Sequence, residues 1–465
     1  MSLNSEEINI LIYRYLQEAG LHHTAFTLSQ EALLWRSPYR NAEITPGSLI
    51  SYLQKGLMYE EIETHLNADG TEKRCDQPFS LTQPHRCREV SEFETTLPAK
   101  NRIEPNRVAF LPGHEQPLLA TKWCPSPKRP FILSSAEDGT ARLWPIDARV
   151  EVLECAKTAS ERAIIVNHSD GMEVKNVMAI AWAQNGLVFA TGCSDGVVRL
   201  FSIKQDEPKL LFTMTLHQDA IMAVSFNKKG DLFASASSDR TVIVWDTVSG
   251  QQQQIFRFHS QPVMDVQWRN DVSFSSASTD GSVCLCKLGD EHPKFVYKHK
   301  ADVNVVSWDS AGIHLASASD DGTVRIWNTL SDQPLHTLPH NSPVFACQWR
   351  TEPKGQPGRV LATADADKTV RVWDTERGRC MHCFRFEEAI FCLSFSPDGA
   401  FLAVGGTRML CVYDSLSGQL LRDLDVDSEV SDVSWAPDGL GRSVLSLCLP
   451  KRMEIALVEP FPSSN

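Results

Sequence analysis

Histidine, hydroxyl and aspartate side chains recur together at near-regular intervals along most of this chain. The acidic members are Asp138, Asp195, Asp239, Asp280, Asp321 and Asp367. Four residues before each stands a small hydroxyl: Ser134, Thr191, Ser235, Ser276, Ser317 and Thr363. A histidine precedes most copies, at His114, His217, His259, His299 and His340. Imidazole, hydroxyl and carboxylate are the parts of a nucleophilic triad. A triad needs one distinguished nucleophile on a sharp elbow, and no copy stands apart from the others in that way. The other chemistry-bearing motif is Cys380-x-x-Cys383. It has no second pair, and zinc takes four ligands, so these thiols read as strand residues. With no phosphate loop, metal cluster or activated nucleophile, the sequence predicts no catalytic residue, no metal and no cofactor.

Composition narrows the partner classes. The chain has 465 residues, 42% apolar and 22% charged, a globular balance. Lys plus Arg is 45 against 58 for Asp plus Glu, a net charge of −13. That argues against direct nucleic-acid binding through bulk charge and suits a basic partner. No apolar run reaches the length of a membrane span. The opening Met1-Ser-Leu-Asn-Ser-Glu-Glu lacks the basic region of a secretory signal. The 13 cysteines, an odd count scattered through apolar segments, read as reduced thiols in a cytosolic or nuclear protein.

The elements that must position these groups fall into three stretches. Residues 1–70 are helical in period, 71–106 form a polar linker without heptads, and 107–465 are strand-like and repetitive. Ser-Ala-Glu-Asp-Gly-Thr-Ala-Arg-Leu-Trp (135–144) returns as Ser-Ala-Ser-Asp-Asp-Gly-Thr-Val-Arg-Ile-Trp (317–327), with further copies ending at Trp245 and Trp373 and weaker ones at Phe201, Cys286 and Tyr413. Most steps between copies are 40–46 residues, and the long one of 57 holds an insertion near 146–170. These repeats resemble the WD40 family, on Trp245–Asp246, Trp373–Asp374, Trp327–Asn328 and Tyr413–Asp414 and the upstream histidines. The resemblance implies an all-β propeller of four-stranded blades. A last copy opens at Val430-Ser-Asp-Val-Ser-Trp435 and ends near Met453–Leu457, so eight blades are expected, with seven as the alternative. Ring closure by an N-terminal strand is expected at Arg107–Leu111.

In this family the recurrent groups form a structural tetrad, which the resemblance assigns to His114, Asp138 and Trp144; His217, Asp239 and Trp245; His299, Asp321 and Trp327; and His340, Asp367 and Trp373. It also places the fifth residue after each repeat histidine on the channel rim. These are Leu119, Met222, Met264, Asn304 and Phe345, joined by Met178, Phe391 and Ser431 from blades without a clear histidine. Exposed apolar side chains in a ring usually mark an interaction site, and methionine adapts to varied ligands. Glu137, Asp302 and Asp320 add negative charge nearby, so the expected occupant is a basic peptide with an apolar anchor, such as a histone tail or a corepressor segment.

In the N-terminal stretch, Ile8, Ile12, Tyr15, Leu16 and Ala19 share one helical face, with Ser5 able to cap the start and Gly20 the end. A second helix is expected over about His22–Leu34, and a third from Thr45-Pro46 with Leu49 or Ile50, Leu53 and Leu57 on its apolar face. Seventy residues is near the lower limit for an independent core. The segment from Glu7 to Phe26 resembles the LisH dimerisation motif, on Leu11, Tyr15, Leu16, Glu18, Gly20, Thr24 and Ala25. The oligomerisation face is assigned to Ile8, Leu11, Ile12, Tyr15, Leu16 and Phe26. LisH, the Leu53-Gln-Lys-Gly-Leu57 segment and the repeats together resemble the transducin-beta-like 1 family. The resemblance implies a nuclear, non-enzymatic subunit of a histone-deacetylase corepressor complex that represses transcription. It also implies a homo-oligomer, dimer or tetramer, that offers a groove at Leu49, Ile50, Leu53 and Leu57 to a corepressor helix, without binding nucleic acid or membrane. The short linker, the 146–170 insertion and the degraded seventh copy depart from the family pattern and suit a fungal-type counterpart. The alternative is a substrate receptor of a ubiquitin ligase. A cytoskeletal motor regulator is disfavoured, because residues 71–106 carry no coiled coil.

Overall fold

The computed structural model describes residues 5–38, 44–45, 47–53, 55–56, 101–147, 151–169, 174–352, 356–438 and 443–461. It divides into two compact units, Met1–Phe93 and Glu94–Asn465. In the first, helices α1 (Ser5–Glu18) and α2 (His22–Glu31) pack together across a turn. Gly20 makes that turn at φ +77°, a conformation costly for any residue with a Cβ. The second helix ends three residues earlier than its apolar pattern predicts. Leu33 adopts φ +50° and turns the chain into a short 3-10 segment that buries Leu34. Residues 48–53 are helical. Leu57 lies outside the described residues.

The second unit is eight four-stranded antiparallel sheets. Their inner strands are Leu118–Trp123, Val177–Trp182, Ile221–Phe226, Val263–Trp268, Val303–Trp308, Val344–Trp349, Ile390–Phe395 and Asp432–Trp435. Each packs beside the next, and the last beside the first, so the ring closes around a central channel. The eighth sheet joins both parts of the chain: Val108–Pro112 pairs antiparallel with Glu454–Val458, Leu111 opposite Ile455. The repeat count of eight and the closing strand are therefore as the sequence predicts, with the strand shifted by one residue.

Polar side chains on the inner strands stitch neighbouring blades. An inner strand leaves edge N–H groups towards the preceding blade, and each needs an acceptor. Asp432 accepts from the Thr121 N–H, Ser434 from Trp123, Asp265 from Val306, Gln267 from Trp308 and Gln348 from Phe395.

Two features extend the closure beyond one strand. Residues 101–106, which the sequence assigns to the linker, include Ile103, buried, whose N–H donates to the Asp423 carbonyl at 2.9 Å on the outer strand of blade seven. Apolar Ile103 gains more by packing there than by staying in water. The 146–170 insertion forms helix α3 (Val152–Glu161), whose Val152, Cys155, Ala156 and Ala159 share a core with Ala109 and Leu111 of the closing strand and with Ile455 and Leu457. It covers the seam at the strand that makes the ring. Ala159→Asp puts a charge where no surface is accessible, and we expect it to cost about 3 kcal/mol or more. Lys157→Asp, on the exposed side of the same helix, should change stability little. Thermal melts of the two variants check this. Equal melting temperatures would detach the helix from the seam.

Candidate functional site

In the first, third and fifth blades the tetrad atoms form one chain. His114 Nδ1 lies 2.9 Å from Asp138 Oδ2, its Nε2 lies 2.8 Å from Ser134 Oγ, and the Trp144 indole N–H donates to the same oxygen at 2.9 Å. His217, Asp239, Ser235 and Trp245 repeat this arrangement, as do His299, Asp321, Ser317 and Trp327. The proton positions follow from the donor inventory. An indole only donates, so the serine oxygen accepts from it and turns its own O–H to Nε2, leaving Nδ1–H for the carboxylate. The Asp also accepts from the turn, at Glu115 N and Thr140 N in the first blade. These bonds hold the turn, and Ser134, Ser235 and Ser317 are wholly buried.

The sixth blade differs from expectation. His340 pairs with Asp365, at 2.9 Å, and not with Asp367. Asp365 ends its strand pointing inward, where it also accepts from the Thr369 N–H and hydroxyl. It thus collects the partners that Asp138 has in the first blade, while Asp367 stays exposed. Asp195 likewise does not meet a histidine. It pairs with Lys175 at 3.2 Å, and His168, which the sequence reading passed over, bonds Thr191 Oγ1 at 2.8 Å. Its spacing of 23 residues to that hydroxyl matches His340 to Thr363 and could have revealed it.

Electrostatics distinguishes the blades. Burial pushes His168 and His299 down to about 4 and lowers His114. Against their burial, hydrogen bonds from His114 and Thr140 hold the Asp138 carboxyl well below the usual range, and Asp239 is held down in the same way by His217 and Thr241. In the fourth blade Cys286 replaces tryptophan, and against its burial Asp280 and Cys284 raise His259 to about 9. Without an indole N–H to occupy it, Ser276 can accept from a protonated imidazole. The depressed imidazoles stay neutral in the fold while the unfolded chain protonates below about 6.5. Their stabilisation is therefore lost as pH falls from 6.5 towards 4, and that of the depressed carboxylates below about 3.8. His259 acts in the opposite sense, losing its contribution as pH rises from 6.5 towards 9. Below pH 6.5 His259 is protonated in both states; the three lowered imidazoles act together and Asp265, raised to about 6, opposes them, so the melting temperature should fall on acidification from pH 6.5 to 4. Melts across that range check it, and a flat profile would contradict buried neutral histidines.

The rim positions share a backbone device. Leu119, Met178, Met222, Met264, Asn304, Phe345 and Phe391 are each skipped by the ladder between the inner strand and its neighbour, at a β-bulge. A bulge re-aims its extra side chain. Phe391 is 41% exposed and the others half-buried. Ser431 precedes its strand and has no such bulge. The acidic residues do not form one patch. Glu137 lies in the first blade and Asp302 and Asp320 in the fifth, across the ring. The Asn304 amide donates to Asp320 at 2.7 Å and to the Val344 carbonyl at 3.0 Å, so the fifth blade presents a polar notch in the collar.

In the helical unit, Leu11, Ile12 and Leu16 are half-buried, while Ile8, Tyr15 and Phe26 stay 36%, 39% and 62% exposed. The most buried residue of α1 is Ile10, which the helical stripe does not contain. Leu49 is half-buried, and Ile50 and Leu53 are exposed. Cys380 and Cys383 lie on the strand Arg379–Arg385. Among the described residues, no group of three or more His, Cys, Asp or Glu side chains is placed to hold a metal, and no helix is long and apolar enough to cross a membrane.

Comparison with known proteins follows the same division. The helical pair matches the LisH family over residues 6–32. The WD domain, G-beta repeat matches seven times, over 105–145, 162–202, 208–246, 250–287, 291–328, 332–374 and 378–414, leaving the degenerate eighth blade outside. Human F-box-like/WD repeat-containing protein TBL1Y is 31% identical, with 76% of this chain and 89% of the relative aligned. WD40 repeat-containing protein HOS15 of Arabidopsis thaliana is 27% identical, over 72% and 79%. SIR4-interacting protein SIF2 of Saccharomyces cerevisiae is 24% identical, over 70% and 72%. The crystal structure of the C-terminal WD40 domain of Sif2 shares the fold, with a TM-score of 0.64 at 21% identity, covering 78% of this chain and 99% of that one. Repeats and relatives together assign a scaffold-type role built on protein–protein interaction. With LisH helices preceding eight closed blades, and TBL1-type relatives aligned along most of their length, the chain belongs to the transducin-beta-like family.

Proposed function

We propose that this protein is a non-enzymatic, nuclear scaffold subunit of a histone-deacetylase corepressor complex. Residues 1–70 serve as the self-association module, a tether follows, and the propeller captures basic peptides, histone tails among them, on its rim. The observation that carries this reading is the β-bulge that recurs on seven inner strands and bears methionine, leucine or phenylalanine on six of them, at the positions that the resemblance puts on the channel rim. A monomeric surface rarely keeps such a ring without a partner. Ile8, Tyr15 and Phe26 leave a second apolar surface on the helices, suited to another copy of the chain. The Leu49, Ile50 and Leu53 side, with Leu57 beyond it, suits a corepressor helix. Self-association multiplies the rims and raises avidity without new contacts.

Substitution of Met222, Met264 and Phe345 by Ser is expected to reduce capture of a basic, leucine-bearing peptide by roughly 100-fold, since each loses apolar burial of about 1 kcal/mol or more. These side chains are only half-buried, so the fold should survive with a small change in melting temperature. Fluorescence anisotropy checks affinity and melts check the fold; unchanged affinity counts against the collar. Affinity purification of the tagged full chain followed by mass spectrometry tests the assembly. Recovery of a deacetylase supports the reading. The name of the TBL1Y relative, F-box-like, favours one alternative, a ubiquitin-ligase substrate receptor, and recovery of a ligase adaptor without a deacetylase would select it.

A further inference from the structure

Two aspartates stand at the same place in the repeat on opposite walls of the channel. Val263-Met-Asp265-Val-Gln-Trp268 aligns with Val430-Ser-Asp432-Val-Ser-Trp435. Blades four and eight are four steps apart in either direction around the ring. The backbone treats the two carboxylates alike. Asp432 accepts from the Val433 N–H at 3.0 Å and from the Thr121 N–H of the next blade at 3.1 Å. Asp265 accepts from the Val266 N–H at 2.8 Å and from the Val306 N–H of the next blade at 3.0 Å.

They differ in charge compensation. The next inner strand after blade eight supplies Lys122, whose ammonium lies 3.4 Å from Asp432. The same strand position after blade four is Ser307, which brings no charge. Among the described residues, no ammonium or guanidinium pairs with Asp265; the Lys122 charge acts on it only from a distance. Asp265 is half-buried, and the desolvation of its carboxyl pushes it up to about 6. Met264 is its neighbour on the same strand, skipped by the ladder at a bulge, and Asn304 holds the matching bulge position on the next inner strand. A carboxylate without a cationic partner, next to an apolar side chain, has the charge to attract a cation on an aliphatic stem.

We propose that Asp265 anchors a lysine side chain of the captured peptide, which enters between Met264 and Asn304 and meets the carboxylate as Lys122 meets Asp432. This rests on the peptide-capture reading above and names the group that reads charge within it. Lysine fits better than arginine. Each carboxylate oxygen already accepts one backbone N–H, which leaves a guanidinium fork both remaining lone pairs to match at once, whereas a compact ammonium needs only one. The molecule also contains the solution to its own problem, since its other aspartate of this kind is satisfied by a lysine.

The test uses the full chain and two fluorescein-labelled heptapeptides, with a central lysine or norleucine between two leucines. The wild type is expected to bind the lysine peptide about tenfold or more tightly than the norleucine peptide. Asp265→Asn and Ser307→Lys should bind both peptides equally, at the norleucine level. Ser307→Lys supplies an internal ammonium and keeps Asp265, so it tests the site even where Asp265→Asn folds poorly. Equal wild-type affinities for the two peptides would overturn the anchor while leaving capture by the collar standing. Discrimination that survives in Ser307→Lys would overturn it too. Binding of neither peptide removes the capture reading and the anchor with it.

Discussion

A chain that begins at residue 113 is expected to lose the cooperative melting transition of the propeller and to aggregate or run at an enlarged hydrodynamic size. One that begins at residue 94 should keep both properties of the full propeller. The difference is the closing strand and what leans on it. Val108–Pro112 supplies the fourth strand of the eighth sheet along five paired residues, with Leu111 wholly buried and Ala109 nearly so. Loss of a buried leucine costs about 2–5 kcal/mol, and each ladder hydrogen bond contributes about 0.5–1.5 kcal/mol. Their sum approaches the whole net stability of a typical domain, about 5–15 kcal/mol. Two further elements lose their support at the same time. Helix α3 packs its buried face on this strand, and Ile103 seats the preceding residues on blade seven. The break therefore exposes the edge of Glu454–Val458 together with an apolar seam, a surface prone to pair with another chain. Circular dichroism melts and size-exclusion chromatography of the two truncates decide the matter. A monodisperse chain from residue 113 with the melting temperature of the longer one would show that the ring holds without its closing strand.

The closing strand was legible because the resemblance implies one before the first repeat and the apolar pattern picks out the segment. Val108-Ala-Phe-Leu111 is the apolar run that precedes the first histidine. Seven of the eight positions that the resemblance assigns to the rim fall on bulges, Ser431 being the exception. The bulges themselves were not legible, because a bulge depends on pairing between two strands and leaves no mark on one. Helix α3 was hidden inside an insertion that the repeat pattern could only mark as extra length. Its apolar residues Val152, Cys155, Ala156 and Ala159 fit one helical face, yet that face has meaning only against Leu111, far away in the ring. The aspartates of the channel wall were readable in principle, as Asp265 and Asp432 share a motif with a valine on the far side. In helix α1, periodicity selected the stripe of Ile8, Ile12 and Tyr15, but the single chain buries Ile10 most deeply of the helix's described residues. A stripe and an intramolecular core are different surfaces of one helix, and periodicity alone cannot say which faces inward.

Substitution of Asp365 by Ala is expected to destabilise the propeller by about 3 kcal/mol or more, since each of three donors left unsatisfied in a buried site costs about 1–3 kcal/mol. Substitution of Asp367 by Ala should stay within about 0.5 kcal/mol, as for most exposed positions. Repeat alignment predicts the reverse, because Asp367 and not Asp365 stands at the position of Asp138. The structure reverses it because the side chains of His340 and Asp365 are both sealed from water, and the carboxylate accepts from the imidazole and from the Thr369 N–H and hydroxyl. Removing it strands all three donors in a site with no room for solvent. Asp367 accepts no such bonds there; only its backbone N–H is held, by Ser342 Oγ. Denaturant melts of both single variants and of the double variant separate two outcomes. If Asp365 alone carries the turn, the double variant melts like Asp365→Ala. If Asp367 swings inward when Asp365 is lost, the single variant is mild and the double severe, and that coupling would return the tetrad to its repeat position. The acid dependence should follow the same residue. Against its burial, hydrogen bonds from His340 and Thr369 lower the Asp365 carboxyl, so its stabilisation is present at neutral pH and is lost as pH falls below about 3.8. Asp365→Ala should therefore flatten the acid limb of the stability curve, while Asp367→Ala leaves it in place.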